Sequence, residues 1–262
     1  MKLFFSEYKS DYKNYIFPYA IWAIPEAHEK SSDIFAKGFL PNSPNLDRFY
    51  MCRHVRVALN DFKPSSENRR ILRKGGKFSY KLIPATDLDF DEKWMEFCLS
   101  YAEKKFGGKV MTRERLANLV TSSLVSHFMV FSSSISHKNA GIVFLYVEEP
   151  ALAFYYFSFY DLEYLNDSLG MFMMTATVRY FSEHFYDYIY LGSCYSRNAL
   201  YKTQFDGAEF FNGFTWSRNM KELKYLIERD NLPVDKHLLE NSQFIDLFYP
   251  QGVIDHNLFI TK

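Results

Sequence analysis

Three runs rich in aromatic and β-branched residues, at 128–135, 140–147 and 152–159, follow one another with links of only a few residues. Such links are too short for a crossover, so neighbouring runs must pair antiparallel as a meander. The first link contains His137, Lys138 and Asn139, and the second Glu148-Glu149-Pro150. A meander this apolar has to be covered on at least one face, and the flanking sequence supplies helices to do so. Residues 92–106 place Trp94, Met95, Phe97, Cys98, Tyr101 and Ala102 at helical spacing, with Gly107 as a stop. Thr112 is a fair N-cap for a second helix to about residue 122. After the meander come a loop at 161–167, a helix from Ser168 to about Phe185, and a short strand at 188–191. A helix near 197–204, a strand at about 209–216 and a helix near 218–229 complete the series. Residues 1–50, with prolines at 18, 25, 41 and 44, read as irregular, and the alternation of Val55, Val57 and Leu59 predicts a strand over 49–59.

Composition narrows the functional classes. Lys plus Arg and Asp plus Glu number 31 each, so no global field gathers polyanions, and any nucleic-acid binding must be local. Three scattered cysteines offer neither a disulfide frame nor zinc-ligand spacing, and fit buried thiols in a reducing compartment. The histidines form no metal motif, so neither a metal nor another cofactor is expected. The N-terminus lacks signal-peptide character and no stretch could span a bilayer, so a soluble cytoplasmic protein without a membrane partner is expected.

Three segments could carry chemistry. Between Arg69 and Thr86 there are six Lys or Arg residues and no acid. Arg69, Arg70, Arg73 and Lys74 fall at offsets that gather charge on one side of a helix, where guanidinium forks suit phosphates. A solvated charged face is the ordinary outcome of such a run. The turn Asn166-Asp167-Ser168-Leu169-Gly170 opens a helix, whose unpaired N–H groups suit an anion or a carbonyl oxygen, although an ordinary N-cap explains it equally. Tyr201 and Lys202, followed by Glu209, could meet a terminal phosphate or an amine, or form a surface ion pair.

The order helix, helix, three strands, helix, strand, helix, strand matches the GCN5-related N-acyltransferase (GNAT) layout, a mixed α/β (α+β) sheet with an antiparallel meander and flanking helices. Several motifs then occur together: Val55-Arg56-Val57, Phe62-Lys63-Pro64-Ser65, Asn68-Arg69-Arg70, Ser168-Leu169-Gly170, Tyr190-Leu191-Gly192, and Tyr201-Lys202 with Phe205 and Glu209. In order and spacing they resemble the arginyl-tRNA–protein transferases and their bacterial leucyl-transferring relatives, over about residues 38–216. The family's N-terminal cysteine motifs are absent, its Gly-Phe-Arg-Arg is here Gly38-Phe39-Leu40-Pro41, and its Tyr-Asp-Pro is Tyr160-Asp161-Leu162.

The resemblance implies a GNAT-like catalytic domain at 91–230, preceded by a region at 1–90 with the basic segment and followed by a tail at 231–262. It implies an aminoacyltransferase that moves Arg or Leu from an aminoacyl-tRNA donor to the N-terminal amine of a protein or peptide. Asn68, Arg69, Arg70, Arg73, Lys74, Ser168, Leu169, Gly170, Tyr201 and Lys202 are the expected tRNA and substrate contacts. An aminoacyl ester is already activated, so the chemistry needs positioning, a proton acceptor and an oxyanion donor. The expected acceptor is Asp161 or Glu209, relayed through Tyr156 or Tyr160, and the oxyanion donor a backbone N–H at 157–159 or Gly170. Two rivals are a CoA-dependent N-acyltransferase, for which the turn at 166–170 has too few glycines, and a non-catalytic RNA- or peptide-binding homologue.

Overall fold

The computed structural model describes residues 1–233 and 236–259; positions 234, 235 and 260–262 of the expected tail lie outside the described residues. In chain order the elements are β1 (Lys2–Glu7), β2 (Tyr19–Ile24), α1 (Ser31–Ala36), β3 (Phe39–Pro41), β4 (Phe49–Met51), β5 (His54–Ala58), α2 (Ser66–Lys74), β6 (Phe78–Pro84), α3 (Glu92–Phe106) and α4 (Arg113–Val120). There follow β7 (His127–Ser133), β8 (Asn139–Glu148), β9 (Leu152–Tyr160), α5 (Leu169–Glu183), β10 (Tyr188–Ser193), β11 (Ala208–Phe211), β12 (Trp216–Ser217), α6 (Met220–Arg229) and α7 (Ser242–Phe248). Segments Leu162–Asp167 and Arg197–Thr203 are 3-10 helices.

The expected meander forms as β7–β8–β9, antiparallel throughout, inside an eight-stranded sheet of order β12-β11-β5-β10-β9-β8-β7-β6. β9 and β10 run parallel, joined by α5, which gives the mixed sheet and flanking helices of the expected GNAT-like fold. Period-2 alternation sends adjacent residues of β8 into two different cores. Val143 and Leu145 pack toward α5, α2, α6 and α7, whereas Ile142 and Phe144 pack toward α3 and α4. Covered on both faces, β8 is an apolar run rather than an alternating one.

The N-terminal third differs from expectation. Residues 1–50 contain a second, four-stranded antiparallel sheet of order β1-β2-β4-β3. Its prolines bracket strands instead of excluding them: Pro18 precedes β2, Pro25 follows it, and Pro41 ends β3. The strand expected at 49–59 is two strands in different sheets, β4 and β5. β6 forms within the basic segment, paired to β7 over its whole length, because its partner rather than its own pattern fixes it. Toward the C-terminus, the strand expected at 209–216 is the hairpin β11–β12, and the helix expected at 197–204 is a 3-10 helix. The tail packs on the main core through Phe244 and Tyr249 of the α7 region. No helix among the described residues is long and apolar enough to cross a membrane.

Candidate active site at the parting of two strands

β9 and β10 pair only from Leu152–Phe154 to Tyr188–Tyr190 and then separate. On its other side β9 carries a bulge: Phe144 faces Phe157 while Leu145 faces Tyr155, so Tyr156 is the extra residue. Beyond Phe154, β9 therefore presents backbone toward open space where a neighbouring strand would otherwise lie. A cavity of about 850 Å³ occupies this gap. β9 contributes Tyr155, Tyr156, Phe157, Ser158 and Tyr160, and the start of α5 contributes Ser168, Leu169 and Gly170. Tyr101, Lys105 and Phe106 of α3 close one side, and Leu191, Asn198, Tyr201 and Lys202 the other. Crevices at the carboxyl ends of parallel strands, beside a helix N-terminus, are where open α/β sheets bind ligands.

Seven of the expected residues line this cavity: Tyr156, Tyr160, Ser168, Leu169, Gly170, Tyr201 and Lys202. Ser168 adopts a left-handed conformation with φ of 58°, and its side chain caps nothing in α5. Gly170 matters by its bareness, since a Cβ there would come within 2.9 Å of the Tyr160 ring. The ring of Tyr160 also leans on Tyr101, with centroids 4.7 Å apart. Burial raises the pKa of the Tyr155, Tyr156 and Tyr201 phenols, so all three are neutral hydrogen-bond donors at pH 7. Burial also lowers the ammonium pKa of Lys202, whose Nζ donates to the Ser193 carbonyl at 2.9 Å.

Asp161 stands one wall away. Its carboxylate accepts from the Glu163 N–H at 2.9 Å and faces a side recess of about 260 Å³ that shares Tyr101 and Tyr160 with the main cavity. Glu209 is not brought to the cavity. It lies on β11, three strand spacings from β9, roughly 14 Å at about 4.8 Å per spacing. There Arg56 holds it through Nε at 2.8 Å and Arg218 through its own Nε at 2.9 Å. The Arg56 guanidinium is itself stacked between Tyr188 and Trp216, at 4.0 and 3.8 Å from their ring centroids. A carboxylate shared by two guanidiniums is a structural anchor.

The basic segment divides similarly. Asn68 is fully buried and completes a capping box, its Oδ1 accepting from the Ser65 N–H at 3.1 Å and its own N–H donating to Ser65 Oγ at 3.1 Å. It is therefore a cap and out of reach of a phosphate. Arg69, Arg70, Arg73 and Lys74 are exposed on α2. Arg70 is engaged by Glu67 at 2.6 Å, and Arg69 donates to the Pro64 carbonyl at 2.6 Å. Lys74 reaches the other motif, donating to the Asn166 carbonyl at 2.5 Å and meeting Ser168 Oγ at 3.3 Å, while Lys77 pairs with Asp167 at 2.7 Å. Two motifs some ninety residues apart thus form one surface beside the cavity mouth. α2 can seat there because Gly75 ends it directly against Phe172 of α5, where a Cβ would overlap the ring.

No family model matches the chain. It is 24% identical over 207 residues to an aspartate/glutamate leucyltransferase of Marinobacter nauticus, covering 73% of this chain and 84% of that one. It is likewise 24% identical over 185 residues to the aspartate/glutamate leucyltransferase of Chromobacterium violaceum, covering 68% and 74%. Both of these similar proteins carry the name leucyltransferase. That similarity supports an enzyme of the aminoacyltransferase kind. Among solved structures, the C-terminal domain of a putative lysylphosphatidylglycerol synthetase from Agrobacterium fabrum aligns with a TM-score of 0.44 at 13% identity, covering 55% of this chain and 46% of that one. FemX aligns with a TM-score of 0.41 at 9% identity, covering 54% and 53%. The chain spans about half the length of these two structures.

Lining residues outside the expected site include Tyr101, which falls in the amphipathic pattern of α3, Lys105 and Asn198. Lys105 falls one turn after Tyr101, on the face of α3 that turns toward the strand ends. Only the packing of α3 on β9 could assign that face a role.

Proposed function

We propose that the protein transfers leucine from the 3′ ester of an aminoacyl-tRNA to the N-terminal amine of a protein or peptide. The observation that carries this reading is the cavity between β9 and β10, whose charged lining residues are Lys105 and Lys202, with no carboxylate among the described residues that line it. An arginyl group would bring a third positive charge into that space without a counter-charge, whereas Leu169, Met171, Met174 and Leu191 offer an apolar wall to a leucyl side chain. The same two cations favour an acceptor that begins with Asp or Glu. The exposed guanidiniums of α2 and the ammonium of Lys74, beside the cavity mouth, suit the phosphates of the tRNA.

In the reaction the acceptor amine attacks the ester carbonyl carbon. A C–N bond forms, the C–O bond to the ribose breaks, and the proton lost by the amine ends on the leaving hydroxyl. Tyr160 is the group in reach to pass that proton, with Asp161 behind it in the side recess. Backbone N–H groups of β9 beyond Phe154, free of a strand on the β10 side, and the first turn of α5 are the candidate oxyanion donors. Lys202 holds the terminal phosphate or the developing charge.

The test is to incubate the protein with labelled Leu-tRNA, Arg-tRNA or acetyl-CoA and peptides beginning with Asp, Glu or Lys. Leucine transfer to the Asp and Glu peptides is expected. Transfer from acetyl-CoA alone overturns the reading, and tRNA binding without turnover of any donor leaves a binding protein. Tyr160→Phe and Asp161→Asn should each lower kcat about 10²-fold, the usual size of a proton-transfer contribution; full rates in both would remove this proton route.

A further inference from the structure

Both proposed substrates are macromolecules, so the cavity needs two exits that do not collide. The basic helix α2 packs with α5 on one face of the large sheet, and α3 with α4 covers the other. On that second face a separate groove of about 390 Å³ runs between α4 and the segment that links β3 to β4. Asn42 and Pro44 form one bank, and Asn118 and Arg115 the other. Tyr156, the bulge residue, belongs to both the groove and the central cavity. The groove therefore starts where the cavity wall ends.

We propose that this groove binds the acceptor polypeptide downstream of its first residue, holding it as an extended chain between the side-chain amides of Asn42 and Asn118. The proposal rests on the transfer reading given above. Each side-chain amide offers a donor and an acceptor, the pattern an extended backbone requires. Both residues are exposed, and neither side chain makes a hydrogen bond among the described residues. The groove has one Arg and one Glu, Arg115 and Glu114, so it has no net charge to draw a phosphate backbone. That separates it from the basic face of α2. Arg115 is braced by the Val110 carbonyl at 2.6 Å and lies 6.0 Å over the Phe157 ring, a wall of the central cavity. An extended residue advances about 3.3–3.6 Å, so a chain whose amine lies in the cavity crosses Tyr156 within its first few residues.

Asn118→Trp fills the groove from an exposed position, and Asn42→Ala with Asn118→Ala removes both amides while leaving the space. Each is compared with the unaltered protein in two measurements. One is the fluorescence anisotropy of a labelled octapeptide beginning with Asp. The other is the ratio of leucine transfer to that octapeptide over transfer to aspartic acid α-amide, which is too short to reach the groove. Both variants should weaken octapeptide binding at least tenfold and lower the transfer ratio by a similar factor, with melting temperatures checked alongside. Unchanged octapeptide binding in Asn118→Trp overturns the proposal, as does failure of the unaltered protein to bind it. So does a loss of Leu-tRNA binding instead, which would make the groove an RNA surface. If the octapeptide binds and Asn118→Trp abolishes binding but no leucine moves, the groove stands and the transfer reading falls. If leucine moves with the same ratio in all variants, the transfer reading stands and the groove falls.

Discussion

Gly170 joins two motifs that the sequence holds ten residues apart, because the Tyr160 ring lies where its side chain would be. An alanine there gains up to about 1 kcal/mol of helix propensity in α5 but costs about 1–3 kcal/mol in overpacking, so the steric term wins. Gly170→Ala should lower stability by no more than about 2 kcal/mol yet displace Tyr160 enough to reduce transfer about tenfold; paired denaturation and transfer assays would separate the two effects. Asn68 teaches the opposite lesson. Its place in Asn68-Arg69-Arg70 suggests a phosphate ligand, but its full burial and its capping box make it part of the helix start. The side chain of an N3 residue folds back on the chain, and a motif of residue names carries no record of that direction.

At the scale of elements, α2 is the clearest case of a segment whose function depends on what it packs against. Its charges were legible as a cluster, but a cluster alone is a solvated face. What changes its meaning is the Lys74 and Lys77 contact with residues 166–168, which sets the cluster at the cavity mouth. Removing two exposed cations, with Arg69→Ala and Arg73→Ala combined, should weaken RNA binding. The slope of log K against log salt should also shallow by roughly 1.4–1.8, the release expected for two lost phosphate contacts. A shift in affinity with no change in slope would mean that neither residue meets a phosphate. In the N-terminal sheet, by contrast, pattern reading failed at β1. That strand is exposed along its whole length, so the alternation that marks a half-buried strand is missing.

For the whole molecule, the C-terminal segment is part of the fold. Phe244 is fully buried, and the Tyr249 hydroxyl donates to Glu222 at 2.9 Å and accepts from Asn212 at 2.7 Å. Phe244→Ala should cost about 3–5 kcal/mol in urea unfolding, the usual price of an emptied aromatic site. His54 bears on acid stability. It is buried among Tyr190, Phe211 and Trp216, its Nδ1 lies 2.8 Å from the Cys52 carbonyl, and burial depresses its pKa from 6.5 to about 3. Above pH 6.5 neither state holds the extra proton, so His54 adds no pH dependence there. Below it the unfolded chain takes up a proton that the folded one refuses, so stability falls by up to about 1.4 kcal/mol per pH unit until the folded pKa is reached. Unfolding curves between pH 6.5 and 4.5 should therefore be steeper in pH for the unaltered protein than for His54→Asn.

Local sequence determined the meander, α3 with its Gly107 stop, α4 with its Thr112 cap, and the helix that begins near Ser168. It did so because short links, periodicity and caps act between residues close in the chain. The expected residues also include seven of the eighteen that line the cavity, Tyr156 through Lys202. Tertiary structure decided the rest: that β9 and β10 part after three pairs, that Glu209 is held by Arg56 and Arg218, and that Lys105 turns toward the strand ends. Those outcomes depend on which strands become neighbours and which charges they bring together. Strand order joins residues as far apart as Leu152 and Tyr188 or Arg56 and Glu209, and no local pattern encodes it.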